Sequence, residues 1–427
     1  MLIVNITLIK WDHDKQKSFP KTEKKTSSPF GRITVLTGAR QTGKTTLIRK
    51  AFPDYSYITL DDPITRPDYA RLSATQWHER YPVVILDEVQ KLPALVDSVK
   101  AVYDLYPESR FILSGSSQIF LLSKISESLA GRAALLELYP LTLPERLTES
   151  WEDPVRPSRL IKLLSGKNRE ILKGIPQTEP DHAKAERTFS DYLAFGSMPA
   201  IIDENIEAHE KREWLRDYIR TYLQRDVRDL ANLRELEPFV RAQKVLANLS
   251  GKLLNTSQLA KQSGISMQTA KRFVHYLELS YQVFQLPPWF RNQKKRLVKS
   301  PKIHFLDPGI QRILLGRSGT LTGNEFESAV VSEVIKQIKS EALEVSLYHL
   351  RTLDGREVDL LIELESGYIA LEIKSSVKVT QSDARHLFHL DDILDKPLLQ
   401  ALLVSNDQRV HLWEKVTAVP AAWLLSN

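Results

Sequence analysis

Eight residues constrain this chain more than any other stretch. Gly38-Ala39-Arg40-Gln41-Thr42-Gly43-Lys44-Thr45 follows the apolar run Ile33-Thr34-Val35-Leu36 and precedes a helical stretch, Thr45–Ala51. Two glycines with four residues between them, then lysine and threonine, between a strand and a helix, make a P-loop pattern. Each part has a chemical reason. Gly38 and Gly43 lack a Cβ, so the backbone can bend closely around an anion. Successive N–H groups across Arg40, Gln41, Thr42 and Thr46, with the helix N-terminus, then face the phosphates. Lys44 adds a mobile positive charge, and Thr45 offers its hydroxyl to Mg²⁺.

The surroundings suit such a loop. Tyr55–Leu60, Val83–Leu86 and Phe111–Leu113 are short apolar runs separated by helical stretches. Alternation of this kind indicates a parallel sheet covered on both faces. Val83-Val84-Ile85-Leu86 ends in Asp87-Glu88. Asp87 is placed to hold Mg²⁺, and Glu88 to polarise an attacking water. The run Phe111-Ile112-Leu113 leads into Ser114-Gly115-Ser116-Ser117, where Ser114 and Ser116 are candidates to sense a γ-phosphate. The plainer reading of both segments is a strand-to-helix turn.

With these motifs the sequence resembles a known family. Leu36–Leu47, Leu86-Asp87-Glu88-Val89-Gln90, Phe111–Ser117, Leu129-Ala130-Gly131-Arg132 and Leu138-Tyr139-Pro140-Leu141 look like the AAA-type ATPase domain of many prokaryotic ATP-binding proteins. Those proteins carry a second, C-terminal region of the DUF4143 type. Tyr192–Pro199 and Tyr218–Val227 match the same pattern, so the resemblance spans nearly everything after residue 30. It implies ATP and Mg²⁺ as cofactors. It also implies that Arg132 reaches a nucleotide, in cis or from a neighbouring subunit, as an arginine finger. Arg220, Arg225 and Arg228 form a basic cluster on one helical stretch, where Asp226 and Asp229 make a salt-bridged face the simpler reading.

The middle of the chain has a different grammar. Thr256–Ser263, a turn at Gly264 and a second helix over Met267–Leu279 form a helix-turn-helix pattern. Ala270, Phe273, Val274 and Leu277 lie on its inner face, while Gln268, Lys271, Arg272 and His275 point outward. Val283–Leu286 and Lys295–Val298 suit the hairpin of a wing. Basic residues crowd the stretch from Arg291 to Lys302, among them Lys294, Lys295 and Arg296, with no acid between them. Residues 268–302 are thus a candidate DNA contact through phosphates. A winged helix used only for packing or protein contact fits equally well.

Near the C-terminus, Glu357–Ile362 and Tyr368–Lys374 read as two strands joined at Ser366-Gly367. Strand alternation puts Glu372 and Lys374 on one face, and the hairpin brings Asp359 beside Glu372. Converging carboxylates suit a divalent cation, and a lysine beside them suits phosphate charge. Glu327, on the preceding helix, adds another acid. The arrangement resembles the core of PD-(D/E)XK nucleases and Holliday-junction resolvases, with Asp359, Glu372 and Lys374 on the motif positions and Val358 where the motif has proline. An active nuclease and an inactive fold retained for binding both fit. Buried together, such carboxylates would need a cation, because like charges repel at low dielectric.

Composition sets the outer limits. With 427 residues, about two to four domains are expected. The absence of cysteine excludes disulfides, thiol catalysis and cysteine-ligated metal. A net charge of +6 permits a nucleic-acid partner without showing one. No apolar run reaches the roughly 18 residues of a membrane span, and the opening apolar run lacks the basic region and cleavage site of a secretory signal. A cytoplasmic protein is expected. The fold class expected is α/β: a tail over 1–30, a P-loop AAA-type ATPase domain over 31–150, and a linker and helical region over 151–236. A winged helix-turn-helix over 237–305 and a restriction-endonuclease-like α/β domain over 306–427 complete it. The leading function is an ATP-hydrolysing, nucleic-acid-associated protein, with a homo-oligomer or a protein partner compatible. The alternative is a nucleotide-controlled protein-binding switch whose nuclease-like domain is inactive.

Overall fold

The computed structural model describes residues 31–115, 128–166, 169–223, 236–291, 300–352 and 355–427. The tail over 1–30, Ser116, Arg225, Arg228, Lys294, Lys295, Arg296 and the strand expected at Lys295–Val298 lie outside the described residues.

The first unit is a five-stranded parallel sheet. Its strands are β1 (Ile33–Gly38), β2 (Ser56–Thr59), β3 (Val83–Asp87), β4 (Arg110–Ser114) and β5 (Ala133–Leu138), in the order β2-β3-β4-β1-β5. Every residue of β1 is buried, as a parallel strand covered on both faces requires. The registers Leu36↔Ser114 and Leu86↔Leu113 bring the C-terminal ends of β1, β3 and β4 to one edge. That edge, where open α/β sheets bind ligands, carries the P-loop, Asp87 and Ser114 together. β5 has no counterpart among the expected strands. Its sequence, Ala-Ala-Leu-Leu-Glu-Leu, is built of strong helix formers, and pairing with β1 overrides that preference.

The second unit has three helices, Glu237–Leu249, Thr256–Ser263 and Met267–Leu279, beside a small antiparallel sheet. The sheet holds β6 (Lys252–Leu253), β7 (Val283–Leu286) and β8 (Lys302–Phe305) in the order β6-β8-β7. Gly264 ends the second helix in a left-handed conformation, and Ser266 caps the third through the Thr269 N–H at 3.1 Å. Ala270, Phe273, Val274 and Leu277 face inward, while Gln268, Lys271, Arg272 and His275 are exposed. β7 pairs antiparallel with β8, Val283 opposite Phe305 and Leu286 opposite Lys302. All four residues of β8 are buried, Lys302 included. The helix Pro308–Leu315 belongs to this packing rather than to the C-terminal unit. A Cβ on Gly309 would come within 2.0 Å of the Phe195 carbonyl oxygen, so the two helices meet backbone to backbone.

The third unit is a six-stranded mixed sheet in the order β13-β14-β12-β11-β10-β9. Its strands are β9 (Ser346–Arg351), β10 (Glu357–Leu364), β11 (Gly367–Lys374), β12 (Leu398–Ser405), β13 (His411–Trp413) and β14 (Val416–Pro420). The stretch between β11 and β12 contains two short 3₁₀ turns, Gln381–Ala384 and Leu390–Asp392. His389, left-handed at φ 60°, interrupts any continuous helix there. Residues expected as a linker are core. Leu160, Ile161, Leu164, Phe189 and Tyr192 pack in one cluster with the helix Gly323–Ser340, the sheet and Trp423.

The helix Gly323–Ser340 is buried from Glu325 to Ile338. Its apolar side chains, such as Phe326, Val330, Val331 and Val334, each contribute about 1.5–3 kcal/mol when hidden. Its polar side chains bind the other units. Lys336 pairs with Glu333 at 2.7 Å, both fully buried. Lys336 Nζ donates to the Leu141 carbonyl at 2.8 Å, and Glu333 Oε1 accepts from the Leu143 N–H at 2.7 Å. This pair closes the trailing edge of the first unit onto the third. Replacing Lys336 with Met strands a buried carboxylate and should destabilise the protein by about 3–5 kcal/mol, read as a fall in the urea midpoint. The exposed pair Lys173–Glu170 is the control: Lys173→Met should shift the midpoint little.

Candidate nucleotide site and C-terminal acid pocket

The P-loop is held from below and from the side. Gly38 needs to be glycine for a reason the motif does not state. A Cβ there would lie 2.2 Å from the Leu138 carbonyl oxygen on β5. Thr42 Oγ1 donates to the Ala39 carbonyl at 2.8 Å and tightens the loop. Gln41 adopts a left-handed backbone at φ 61°, and Gly43 caps the helix Lys44–Ala51 at φ 91°. Lys44 is buried, its Nζ donating to the Gly38 and Ala39 carbonyls at 2.9 and 2.7 Å. Thr46 is exposed on the first turn of that helix.

Thr45 and Asp87 come together across the sheet edge. Thr45 Oγ1 donates to Asp87 Oδ2 at 2.7 Å. Tyr57, which the motif does not include, donates to the same oxygen at 2.8 Å. A hydroxyl and a carboxylate touching beside a P-loop lysine are the oxygen ligands that Mg²⁺ prefers, so the residues fit that ion. Glu88 comes next with a left-handed backbone at φ 57°, a conformation costly for a non-glycine residue. Gln90 Nε2 donates to Glu88 Oε2. Burial, then the Asp87 charge, raise the Glu88 carboxyl above the usual range, while Arg40 and Lys44 draw it back. Ser114 stands at the same edge, its buried Oγ without a hydrogen-bond partner among the described residues.

Arg132 does not join this group. It directly precedes β5, whose first residue pairs with Ile33, at the other end of the sheet from Gly38. Five residues of strand put it roughly 16–20 Å from the loop. There it bonds Asp104 at 3.0 Å. A finger acting in cis is therefore ruled out by strand direction.

Two tyrosines outside the first unit grip the loop instead. The Tyr218 hydroxyl donates to the Arg40 carbonyl at 2.9 Å, with Trp214 stacked on its ring. The Tyr281 hydroxyl lies 2.7 Å from Thr37 Oγ1 and donates to Glu137 Oε1 at 3.1 Å. Neither loop contact has a sequence signal, because Tyr218 and Tyr281 lie 178 and 244 positions along the chain from Arg40 and Thr37.

The second constellation forms at β10 and β11. Leu360 pairs with Leu371, so Asp359 and Glu372 stand opposite on one face. Both are buried. Asp359 Oδ2 accepts from the Ile373 N–H at 2.9 Å, and Lys374 pairs with Glu372 at 2.6 Å. Glu327 is close, as expected, but the link to Asp359 is a lysine. Lys302 Nζ lies 2.8 Å from Glu327, 3.0 Å from Glu357 and 3.1 Å from Asp359. The sequence puts Lys302 among the residues expected to face DNA; its burial among carboxylates removes it from that surface. Burial disfavours its charge, yet Asp359, Glu327 and Glu357 more than offset this and hold its pKa up. Burial and the Asp359 charge push the carboxyls of Glu327 and Glu372 upward. Among the described residues, no three carboxylate or histidine groups are set to hold a metal ion. Lys302 holds the centre, so the arrangement does not fit a divalent cation.

Comparison with known proteins agrees with this organisation. Residues 31–147 match the family described as AAA domain, residues 186–321 a domain of unknown function (DUF8612), and residues 322–424 a domain of unknown function (DUF4143). An uncharacterised protein of Mycobacterium tuberculosis is 28% identical over 406 residues, covering 92% of this chain and 81% of the relative. One from Methanocaldococcus jannaschii is 23% identical over 423 residues, covering 90% and 84%. A solved Walker-type ATPase of Pyrococcus abyssi aligns with 72% of this chain and 94% of its own at 14% identity and a TM-score of 0.42. Among the described residues, no helix is long and apolar enough to cross a membrane.

The Glu88 environment makes a direct prediction. Asp87→Asn removes the neighbouring like charge, so the raised Glu88 pKa should fall. Carboxyl-carbon NMR across an acid titration reads this, and an unchanged Glu88 midpoint would leave burial as the whole cause.

Proposed function

We propose that this chain, which carries an AAA domain and a C-terminal DUF4143 domain, hydrolyses ATP at the P-loop and passes its nucleotide state to a nucleic-acid-associated middle unit. The observation that carries the reading is the Thr45–Asp87 contact beside buried Lys44 and left-handed Glu88. Lys44 would meet the β- and γ-phosphates, and Ser114 would accept or donate at the γ-phosphate. Thr45 and Asp87 would hold Mg²⁺, which neutralises phosphate charge when bound. Glu88, positioned by Gln90, would take the proton of the attacking water. Tyr218 and Tyr281 give the loop a mechanical link to the helices beyond. Arg132, on an outer edge with Asp104, serves as a finger only if a neighbouring subunit of a homo-oligomer presents it. A cytoplasmic location accords with this reading.

Lys44→Ala should abolish turnover and weaken ATP binding. Glu88→Gln should keep binding and lose turnover, by roughly 10²–10⁴-fold if it is the general base. Steady-state phosphate release and a nucleotide-binding titration separate the two. A Glu88→Gln protein that turns over at the parent rate removes Glu88 from the mechanism.

The winged-helix reading of the middle unit rests on the capped turn at Gly264 and on exposed Gln268, Lys271, Arg272 and His275. Reversing Lys271 and Arg272 to Glu should weaken duplex DNA binding and flatten its salt dependence, by about 0.9 in slope for each lost phosphate contact. Fluorescence anisotropy over a salt series measures both. Unchanged affinity would favour the second reading, a nucleotide-controlled switch that binds another protein. One observation favours that reading on its own: Lys302 occupies the acid pocket where nuclease chemistry would need a metal.

A further inference from the structure

We propose that Lys302 is the resident counter-ion of the C-terminal acid pocket and bars a divalent cation from it while β8 of the middle unit stays docked. Neither ATP turnover nor DNA cleavage enters into this. What matters is which unit supplies which charge.

Three carboxylates from the third unit converge on one ammonium from the second. Glu327 comes from the helix Gly323–Ser340, and Glu357 and Asp359 come from β10. All three lie within 3.1 Å of Lys302 Nζ, whose side chain is only 4% exposed. A single carboxylate is enough to pair a lysine. Three, with a fourth and its own lysine next to them, make a site of higher negative charge than one ammonium balances. Counting Glu372 and Lys374, four carboxylates face two ammonium groups. A divalent ion in place of Lys302 would bring one more positive charge to carboxyls that burial and mutual repulsion otherwise hold toward their neutral form.

The pocket also has an acceptor to spare. Glu372 Oε2 is buried and has no hydrogen-bond partner among the described residues. Glu372 is 3% exposed and lies directly across from Asp359. A buried carboxylate oxygen of this kind ordinarily has a partner. A divalent cation held by the Glu327, Glu357 and Asp359 oxygens at about 2.0–2.6 Å would stand in the volume that Lys302 Nζ now takes. The two cations therefore exclude one another by space and by charge. Lys302 is fastened in place by its strand, because β8 pairs on both sides, with β6 and β7. Phe284 of β7 stacks on His304, two residues along, on the same face as Lys302. Opening the pocket means moving that strand.

Mn²⁺ binding to the full chain without nucleotide, followed by the loss of the free-ion EPR signal, tests this. The parent protein should show no binding that depends on Asp359. Lys302→Met should gain binding at least about tenfold tighter than the parent. That gain should vanish in Lys302→Met/Asp359→Asn. If Lys302→Met does not fold in the absence of metal, millimolar Mn²⁺ should restore the parent's circular dichroism and elution volume, since the ion takes the lysine's place. Three results overturn the proposal: Asp359-dependent Mn²⁺ binding by the parent, a folded Lys302→Met protein that binds none, and a misfolded one that Mn²⁺ does not rescue.

Discussion

The helix Gly323–Ser340 holds the molecule together because it is buried on every side and is not apolar. A helix hidden all round is expected to be hydrophobic throughout. This one hides Glu327, Ser328, Ser332, Glu333, Lys336 and Gln337, and each has a partner elsewhere in the chain. Glu327 pairs with Lys302 of β8, and Ser328 shares a hydrogen bond of 2.7 Å with Ser250. Ser332 donates to the Phe305 carbonyl at 2.9 Å. Glu333 and Lys336 take the backbone at Leu143 and Leu141. Gln337 accepts from Ser158 and donates to the Leu425 carbonyl. The apolar face supplies burial energy. The polar groups decide which surfaces meet, since any other docking would leave a buried charge or amide unpaired.

That constraint reaches the P-loop. With the second and third units locked by the central helix, Tyr218 and Tyr281 are delivered to the P-loop edge of the first unit. They touch it at Arg40 and Thr37, on either side of Gly38. A shift of the loop is therefore a shift of two hydroxyl contacts belonging to the helices beyond. The same docking puts β8 into the acid pocket, so the nucleotide edge and the acid pocket both contact the middle unit. Tyr281 lies just before β7, and Lys302 opens β8, the strand that pairs with it.

Much of the first unit was legible in the residues themselves. A P-loop between a strand and a helix leaves few folds open, and parallel strands of unbroken apolar residues announce themselves. The pairing of Asp359 with Glu372 was legible for the same reason: hairpin register is set by alternation and a tight turn. The helix-turn-helix was marked by Gly264 and by the spacing of Ala270, Phe273, Val274 and Leu277. In each case the information is local, within one strand, one helix or one turn.

What only the tertiary structure decided involves partners far apart in the chain. The strand at Ala133–Leu138 exists because β1 offers it an edge, against its own helix preference. Parallel strand direction puts Arg132 at the wrong end of the sheet for a nucleotide on the same chain. The sequence required a cation among the buried carboxylates, and a basic run ending at Lys302 suggested a surface. The structure joins the two statements: the cation is that lysine, turned inward. Local patterns state what a residue can do in its own element. Burial at a junction of units depends on the full packing, and there the cost of an unpaired charge selects the partner.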